Sequence, residues 1–165
     1  MPQLIHTKAL GIMLLMAALL SGCAIFSDSP SRSTGNDRRS PNPNAAYNKP
    51  YKVHGVTYYP LKSAAGYREV GTASWYGSES GNRTAMGTRF VSHGLTAAHK
   101  TLPLPSSVRV TNLTNGRYVD VIVNDRGPFK KGRLIDLSHG AARKIGLHGV
   151  GKVKIEYLDS KISQK

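Results

Sequence analysis

Hydrophobic and polar residues alternate with a period of two in several short segments from residue 70 onward. This alternation is the pattern of β-strands that bury one face. The segments that show it are residues 70–76, 108–112, 118–123 and 153–157. Between the middle two lies Asn115-Gly116, a dipeptide typical of tight hairpin turns because both positions tolerate positive φ. The pattern predicts a mostly β domain with at least one hairpin.

One segment in this region favours a helix instead. The helix is predicted over residues 138–145, with Ser138 capping its first turn and Gly146 ending it. Many short strands with a single helix favour a small barrel, because closing a sheet removes the exposed edges that would otherwise aggregate.

The amino-terminal residues have the pattern of an export signal. Lys8 precedes an apolar run at residues 9–20, which is shorter than the roughly 20 residues of a membrane-spanning helix. The run ends in Leu20-Ser21-Gly22-Cys23, which resembles the lipobox where bacteria attach diacylglycerol to cysteine. The chain's only cysteine falls at this position. We therefore predict a signal peptide over residues 1–22 and a lipid on Cys23, in preference to an ordinary signal peptide with a chance cysteine.

Residues 23–50 are predicted to be a lipidated flexible linker, because they carry too few apolar side chains to offset the entropy of ordering. Ala24 stands where aspartate would favour retention in the inner membrane, so the expected location is the outer membrane, facing the periplasm. With one cysteine, the exported domain can form no internal disulfide. Neither a metal nor another cofactor is expected.

The domain that follows the linker is strongly basic. Residues 51–165 hold 18 of the 23 Lys and Arg residues and 7 of the 9 Asp and Glu residues, which leaves a net charge of +11. Such a charge can bind nucleic acid, but an exported lipoprotein rarely meets any, so nucleic acid is not an expected partner. Charge alone leaves three alternatives open: an acidic glycan, anionic lipid headgroups, or a solvated surface.

Five motifs occur in one order along this domain. They are residues 71–77 (GTASWYG), 95–103 (LTAAHKTLP), 110–117 (VTNLTNGR), 124–129 (NDRGPF) and 132–138 (GRLIDLS). Together they closely resemble the rare lipoprotein A (RlpA) family, and residues 51–69 resemble the family's pre-barrel segment. The resemblance implies a six-stranded double-psi β-barrel with one short helix at residues 70–159, related to the barrels of expansins.

The resemblance also implies an activity, the endolytic lytic transglycosylation of peptidoglycan strands that lack stem peptides, which leaves 1,6-anhydromuramic ends. Ordinary glycosidases need two carboxylates. A lytic transglycosylase can act with one, because the acid that protonates the leaving oxygen then accepts the proton of the sugar's own C6 hydroxyl. The implied partners are peptidoglycan glycan strands, the membrane through the lipid anchor, and division-site proteins.

Two residues match positions that the family uses for catalysis. Asp125 could be the acid, or it could be a structural aspartate that fixes its loop through backbone N–H groups. Contact with the Arg126 side chain would lower its pKa, although successive side chains on a strand point to opposite faces. His99 could orient the carboxylate or bind a sugar hydroxyl, and as a lone histidine in a loop it could equally be structural.

Four further residues are candidates for glycan binding: Trp75, Tyr76, Arg126 and Asp136. Trp75 and Tyr76 could stack on sugar rings, although aromatic residues in strands more often belong to the core. Asp136 lies at a position where the related expansin barrels carry a functional aspartate, and it could equally stabilise the start of the helix.

Thr88 is the most important departure from the family that bears on catalysis. The family carries a catalytic glutamate after the glycine at position 87, and here the residue is threonine. A threonine hydroxyl cannot donate a proton as an acid near neutral pH. The sequence therefore keeps a second function open, that of a non-catalytic peptidoglycan-binding lipoprotein that uses the same groove.

The lipobox makes a direct prediction. Replacing Cys23 by serine removes the thiol that receives the lipid, so the Cys23→Ser protein should stay unprocessed or leave the membrane fraction. Fractionation and an intact-mass measurement check this outcome. A Cys23→Ser protein that is processed and extracts with detergent like the parent would contradict the predicted anchor.

Overall fold

The computed structural model describes residues 40–77 and 81–159, so Cys23 and the predicted signal peptide lie outside the described residues. The described part begins with a short 3₁₀ helix at Ala46–Asn48 and a small two-stranded hairpin, followed by a closed six-stranded barrel. The hairpin strands are β1 (Tyr51–Val53) and β2 (Val56–Tyr58). The barrel elements are β3 (Arg68–Tyr76), β4 (Thr96–His99), β5 (Ser106–Asn112), β6 (Tyr118–Asp125), β7 (Arg133–Ser138), α1 (His139–Lys144) and β8 (Gly151–Tyr157).

The barrel strands follow the order β3-β7-β4-β6-β5-β8, and β8 closes the ring by pairing with β3. The pairs β3–β7 and β4–β6 are parallel, while the other four neighbouring pairs are antiparallel. Small and branched apolar side chains fill the interior, among them Val108, Val110, Val123, Ile135, Leu137, Val153 and Ile155. The prediction of a mostly β, six-stranded double-psi barrel with one short helix is confirmed.

Four barrel strands coincide with the alternating segments, and the structure extends each of them by two residues at one end. The other two barrel strands, β4 and β7, were not predicted from periodicity. Their burial explains the omission, since three of four residues in β4 and the last four residues of β7 are buried. A strand that is covered on both faces has no polar face to reveal it by alternation.

The hairpin between β5 and β6 is confirmed, but its turn differs from the one predicted. Five residues connect the two strands, and Gly116 alone among them has a positive φ, at 71°. Asn115 uses its side chain instead. Its Nδ2 donates to the carbonyl of Ile145, and its Oδ1 accepts from the N–H of Arg117. The turn is therefore held partly by a residue outside the hairpin, Ile145 at the end of helix α1.

Helix α1 begins and ends where the sequence indicated. The Ser138 hydroxyl accepts from the N–H of Ala141 and donates to the carbonyl of Gly94, so one buried side chain caps the helix and holds the preceding loop. Gly146, at φ 64°, follows the last turn. Within residues 40–77 and 81–159, no helix is long and apolar enough to cross a bilayer.

The segment before the barrel is fastened to it by a side-chain amide. Asn48 donates from Nδ2 to the carbonyl of Leu104, and its Oδ1 accepts from the N–H of the same residue, each at 2.8 Å. This reciprocal pair attaches the chain to the β4–β5 connection three residues before β1 begins. The predicted linker boundary at residue 50 therefore falls after the first residue that binds the barrel.

Gly140 lies where the helix touches the preceding loop, and it provides a test of the packing. A Cβ at this position would lie 2.4 Å from the carbonyl oxygen of His93, which is backbone and cannot rotate away. Alanine normally stabilises a helix relative to glycine, but here overpacking should reverse the sign. We expect Gly140→Ala to lower the free energy of unfolding by about 1–3 kcal/mol in urea titrations followed by circular dichroism.

Arg143→Ala, at an exposed position of the same helix, is the control and should change stability by less than about 0.5 kcal/mol. A Gly140→Ala protein that is more stable than the parent would show that the loop does not press on the helix.

Candidate active site

Two carboxylates lie on one face of the barrel wall, in a single row across four strands. The register pairs Ser74 of β3 with Asp136 of β7, Asp136 with Ala98 of β4, and Ala98 with Asp125 of β6. Residues paired across neighbouring strands point to the same face of a sheet. Asp125 and Asp136 therefore flank Ala98, whose methyl group leaves space between them.

Asp125 is held by backbone donors alone. Its Oδ1 accepts from the N–H of Ala85 and from the N–H of Arg126, each at 2.7 Å. Burial raises the pKa of the Asp125 carboxyl above its usual value, and the two N–H groups and the Arg126 charge oppose this only in part. Within the described ranges, its Oδ2 carries no hydrogen bond. The result is a partly buried acid with one oxygen fixed and the other open.

Asp136 has a different environment, because a cation holds it. Arg133 donates from Nη1 to both carboxylate oxygens, at 3.0 and 3.2 Å. Burial raises the pKa of Asp136, while the charges of Arg133, Lys100 and Lys130 lower it. Burial therefore keeps both pKa values above the usual value, and the two carboxylates differ in their partners: Asp136 is bonded by a cation, and Asp125 by backbone N–H groups.

Tyr76 lies near both carboxylates, whereas Trp75 does not share its face. Burial raises the pKa of the Tyr76 phenol, and the charges of Asp125 and Asp136 raise it further. Its ring stacks on Phe90 with centroids 4.8 Å apart. Trp75 points to the opposite side of β3, is 38% exposed, and lies 4.8 Å from the His139 ring. Of the two predicted aromatic residues, Tyr76 alone lines the row of carboxylates.

His99 lies on the other face of β4 from Asp125. Its Nδ1 accepts from the N–H groups of Thr101 and Leu102, at 3.2 and 3.0 Å, so the ring proton belongs on Nε2. Nε2 donates to the Tyr67 hydroxyl, 3.0 Å away, and that hydroxyl donates to Glu69 at 2.5 Å. Burial, with the charges of Lys100 and Arg126, lowers the pKa of His99 to about 3.

Both ring nitrogens of His99 are therefore occupied by protein groups, and the imidazole is neutral. Ala98, the residue before it, is the one that pairs with Asp125, so the His99 ring and the Asp125 carboxylate point to opposite faces. The structure does not bring these two predicted catalytic side chains together. It instead places His99 at the start of the β4–β5 connection, where it fixes the next turn of backbone.

Arg126 binds the protein's own backbone. Its Nε and Nη2 donate to the carbonyl of Tyr47, and Nη2 also donates to Oδ1 of Asn48. Its Nη1 donates to the carbonyls of Leu102, at 2.6 Å, and His99, at 3.2 Å. These contacts engage all five donors of the guanidinium, which leaves none for a glycan. The predicted glycan contact by Arg126 is therefore corrected to a clamp between two segments of the chain.

Thr88 borders the site through a short turn of the long β3–β4 connection. The N–H of Thr84 donates to the carbonyl of Thr88 at 2.9 Å, and the two hydroxyl oxygens lie 2.8 Å apart. Ala85, which donates to Asp125, lies in this turn. The position at which the RlpA pattern has glutamate is thus beside the Asp125 loop, and its hydroxyl is bonded to a neighbouring threonine.

Sequence reasoning missed the cations around Asp136. Lys100 donates from Nζ to the carbonyl of Arg133, and both residues line a cavity of about 420 Å³ with Lys152, Glu69 and His99. Lys100 and Arg133 belong to different strands and different motifs. No sequence motif indicates that Lys100 and Arg133 lie side by side. Both residues were counted only in the net charge of the domain.

Comparisons with known proteins agree with this architecture. A sequence model of the lytic transglycolase family matches residues 68–157. The endolytic peptidoglycan transglycosylase RlpA of Pseudomonas aeruginosa strain UCBPP-PA14 is 58% identical over 113 residues, covering 67% of this chain and 33% of that protein. The proteins of the same name from Yersinia pestis and Neisseria meningitidis serogroup A are each 50% identical, over 119 and 117 residues, covering 72% and 69% of this chain.

The chain spans 32% and 49% of the lengths of these last two relatives, so it corresponds to a third to a half of the proteins it resembles. Among solved structures, a Streptomyces papain inhibitor superimposes with a TM-score of 0.49 at 24% identity, covering 59% of this chain and all of that one.

The buried neutral state of His99 predicts a pH dependence of stability. The unfolded chain takes up a proton on this residue below pH 6.5, whereas the folded protein does not until about pH 3. The contribution is therefore complete above pH 6.5 and is lost as the pH falls toward 3, by on the order of 3–5 kcal/mol. His99→Asn keeps an acceptor for the two N–H groups but cannot titrate.

We expect His99→Asn to be less stable than the parent near neutrality and to lose less stability between pH 6.5 and pH 3. Urea unfolding at a series of pH values measures both curves. Parallel curves would indicate that His99 takes up its proton over the same pH range in the folded protein as in the unfolded chain.

Proposed function

This chain belongs to the rare lipoprotein A (RlpA) family of lytic transglycolases, and we propose that it cleaves peptidoglycan glycan strands, with Asp125 as the catalytic acid. One observation supports this role above the others. Asp125 is a partly buried carboxyl whose pKa is raised, with one oxygen fixed by two backbone N–H groups and the other open on the face of the barrel.

The proposed reaction needs one carboxyl group. Protonated Asp125 donates its proton to the glycosidic oxygen as the bond from C1 of N-acetylmuramic acid to the departing N-acetylglucosamine breaks. The C6 hydroxyl of the same muramic acid residue then bonds to C1, and its proton passes to the Asp125 carboxylate. The products are a free N-acetylglucosamine end and a 1,6-anhydromuramic end, and the acid is regenerated without a water molecule.

A raised pKa suits this cycle, because the acid must be protonated at the start and must hold the proton again at the end. Asp136 has the complementary environment. Paired with Arg133, it supplies negative charge across Ala98, where positive charge develops at C1.

We infer that the substrate is peptidoglycan stripped of its stem peptides. Each muramic acid residue then carries a free lactyl carboxylate. Lys100 and Lys130 lie near Asp136, and Lys100 also lines the neighbouring cavity with Lys152. In this proposal Arg126 and His99 are positioning residues, since they fix backbone on either side of the acid. The lipid on Cys23 would hold the domain at the outer membrane, within reach of the wall and of division-site proteins.

Thr88 supports a second candidate, a glycan-binding protein that does not cleave. Its hydroxyl lies 2.8 Å from that of Thr84, in the turn that covers Asp125, and it offers no acid. A groove that kept its shape but lost a second carboxyl would still bind strands, and the basic surface would still attract them.

The two candidates separate in one experiment. We expect the parent chain to release anhydro-disaccharides and anhydro-oligosaccharides from denuded sacculi, as detected by mass spectrometry, and Asp125→Asn to reduce that rate by about 10²–10⁴-fold. Asparagine has nearly the same shape and keeps one acceptor, so binding to the sacculi should change little. Thr88→Glu, which returns a carboxyl to the turn beside Asp125, is the matched gain-of-function variant.

Three results are distinguishable. Cleavage by the parent that disappears in Asp125→Asn supports the enzyme. Cleavage by Thr88→Glu but not by the parent supports the binding protein. No cleavage by the parent or by Thr88→Glu, both shown to be folded by circular dichroism, rules out transglycosylation by this chain.

A further inference from the structure

Three aromatic rings pack together beside the carboxylate row, and we call Tyr51, Tyr58 and Phe129 the aromatic cluster. The two tyrosine rings stack with centroids 5.3 Å apart and an angle of 21° between their planes. The centroid of the Phe129 ring lies 5.5 Å from that of Tyr58 and 6.2 Å from that of Tyr51. Its plane is inclined to theirs by 53° and 72°. The tyrosines belong to the β1–β2 hairpin, which precedes the residues that the family model matches.

The aromatic cluster is attached to the segments that follow β4 and β6. The Tyr51 hydroxyl donates to the carbonyl of Lys100 at 2.8 Å, and the Arg126 guanidinium lies 5.6 Å from the Tyr51 ring. Phe129 reaches the cluster from the β6–β7 connection, four positions after Asp125. The hairpin is thus pinned between the residues that follow β4 and those that follow β6.

The cluster also lies close to Asp125. Burial raises the pKa of Tyr51, and the Asp125 charge and Tyr58 raise it further against the opposing charge of Arg126. Phe129 keeps 37% of its surface exposed, and both tyrosines are half-buried. An apolar surface therefore remains open to solvent at the edge of the groove, next to the carboxyl that performs the proposed chemistry.

We propose that the aromatic cluster is a sugar-binding subsite. It receives a sugar residue of the glycan strand that lies next to the disaccharide whose glycosidic bond is cleaved. This inference rests on the proposed function. Pyranose rings present a face of C–H groups, which packs on an aromatic surface as apolar groups do. Lys130 follows Phe129 directly and lies near Asp136, so the same connection offers the strand an apolar wall and a cation.

The repeating disaccharide of a peptide-free strand carries flat sugar faces and one lactyl carboxylate. It therefore offers one group for the aromatic cluster and one for Lys130. A purely structural cluster, which only fastens the hairpin, would require apolar volume at these positions but not flat rings. That difference determines the substitution used as the test.

The test measures the affinity of the full chain for long peptide-free glycan strands by isothermal titration calorimetry, in an Asp125→Asn background so that the strands stay intact. Tyr58→Leu keeps apolar volume in the cluster but removes the flat face. We expect a dissociation constant about 5- to 10-fold higher, as for the loss of one aromatic contact. Phe129→Leu, made in parallel, should weaken binding similarly without altering the hairpin.

Tyr59→Leu is the matched control, because Tyr59 is the next residue, is 68% exposed and lies outside the cluster. It should bind as the parent does. The loss in Tyr58→Leu should persist at high salt, since contact with an apolar face is not screened. Thermal unfolding of each variant verifies that the hairpin and barrel are intact.

Parental affinity in a folded Tyr58→Leu or Phe129→Leu variant overturns the subsite, and so does an equal loss in Tyr59→Leu. Failure of the proposed function would look different. If the parent sequence cleaves nothing while the cluster variants bind less tightly, the subsite stands and the enzyme does not. If the parent cleaves while the cluster variants keep full affinity, the enzyme stands without the subsite.

Discussion

Arg126 is the partly buried cation on which the arrangement of the site depends. Its guanidinium joins the segment before the hairpin, at Tyr47 and Asn48, to the β4–β5 connection at His99 and Leu102. A hydrogen bond to a charged group contributes about 1.5–3 kcal/mol, and removing the cation would leave several carbonyls unpaired at once. The backbone N–H of Arg126 also donates to the Asp125 carboxylate. Arg126 therefore links the segments that its side chain holds to the proposed catalytic acid.

The site illustrates how two identical side chains acquire different chemistry from their donors. Asp125 receives neutral backbone N–H groups, and burial keeps its pKa above the usual value. Asp136 receives the charge of Arg133, which favours the ionised form, although burial keeps its pKa above the usual value as well. The β-ladder register sets their separation, because each pairs with Ala98 from opposite sides. The difference between the two carboxylates is therefore built into the fold and requires no conformational change.

The sequence predicted the parts of this structure that depend on local pattern. Strands with one solvent-exposed face and the Ser138 cap could be predicted from alternation and from capping chemistry. The side-chain partner of His99 could not, because Tyr67, which in turn donates to Glu69, lies 32 positions earlier and contacts the His99 ring only after the barrel closes. The same holds for Lys100 and Arg133. In a closed barrel the strand order brings together residues that are far apart in the sequence. A short sequence window cannot reveal such contacts.

The attachment at Asn48 and Arg126 has a mechanical consequence. A force applied to the chain from its amino-terminal side reaches the hydrogen bonds at Tyr47 and Asn48 before it reaches any strand of the closed barrel. That clamp lies next to the proposed acid, whereas each barrel strand is paired on both sides. Tension on the domain therefore loads the support of Asp125 before it loads the closed barrel.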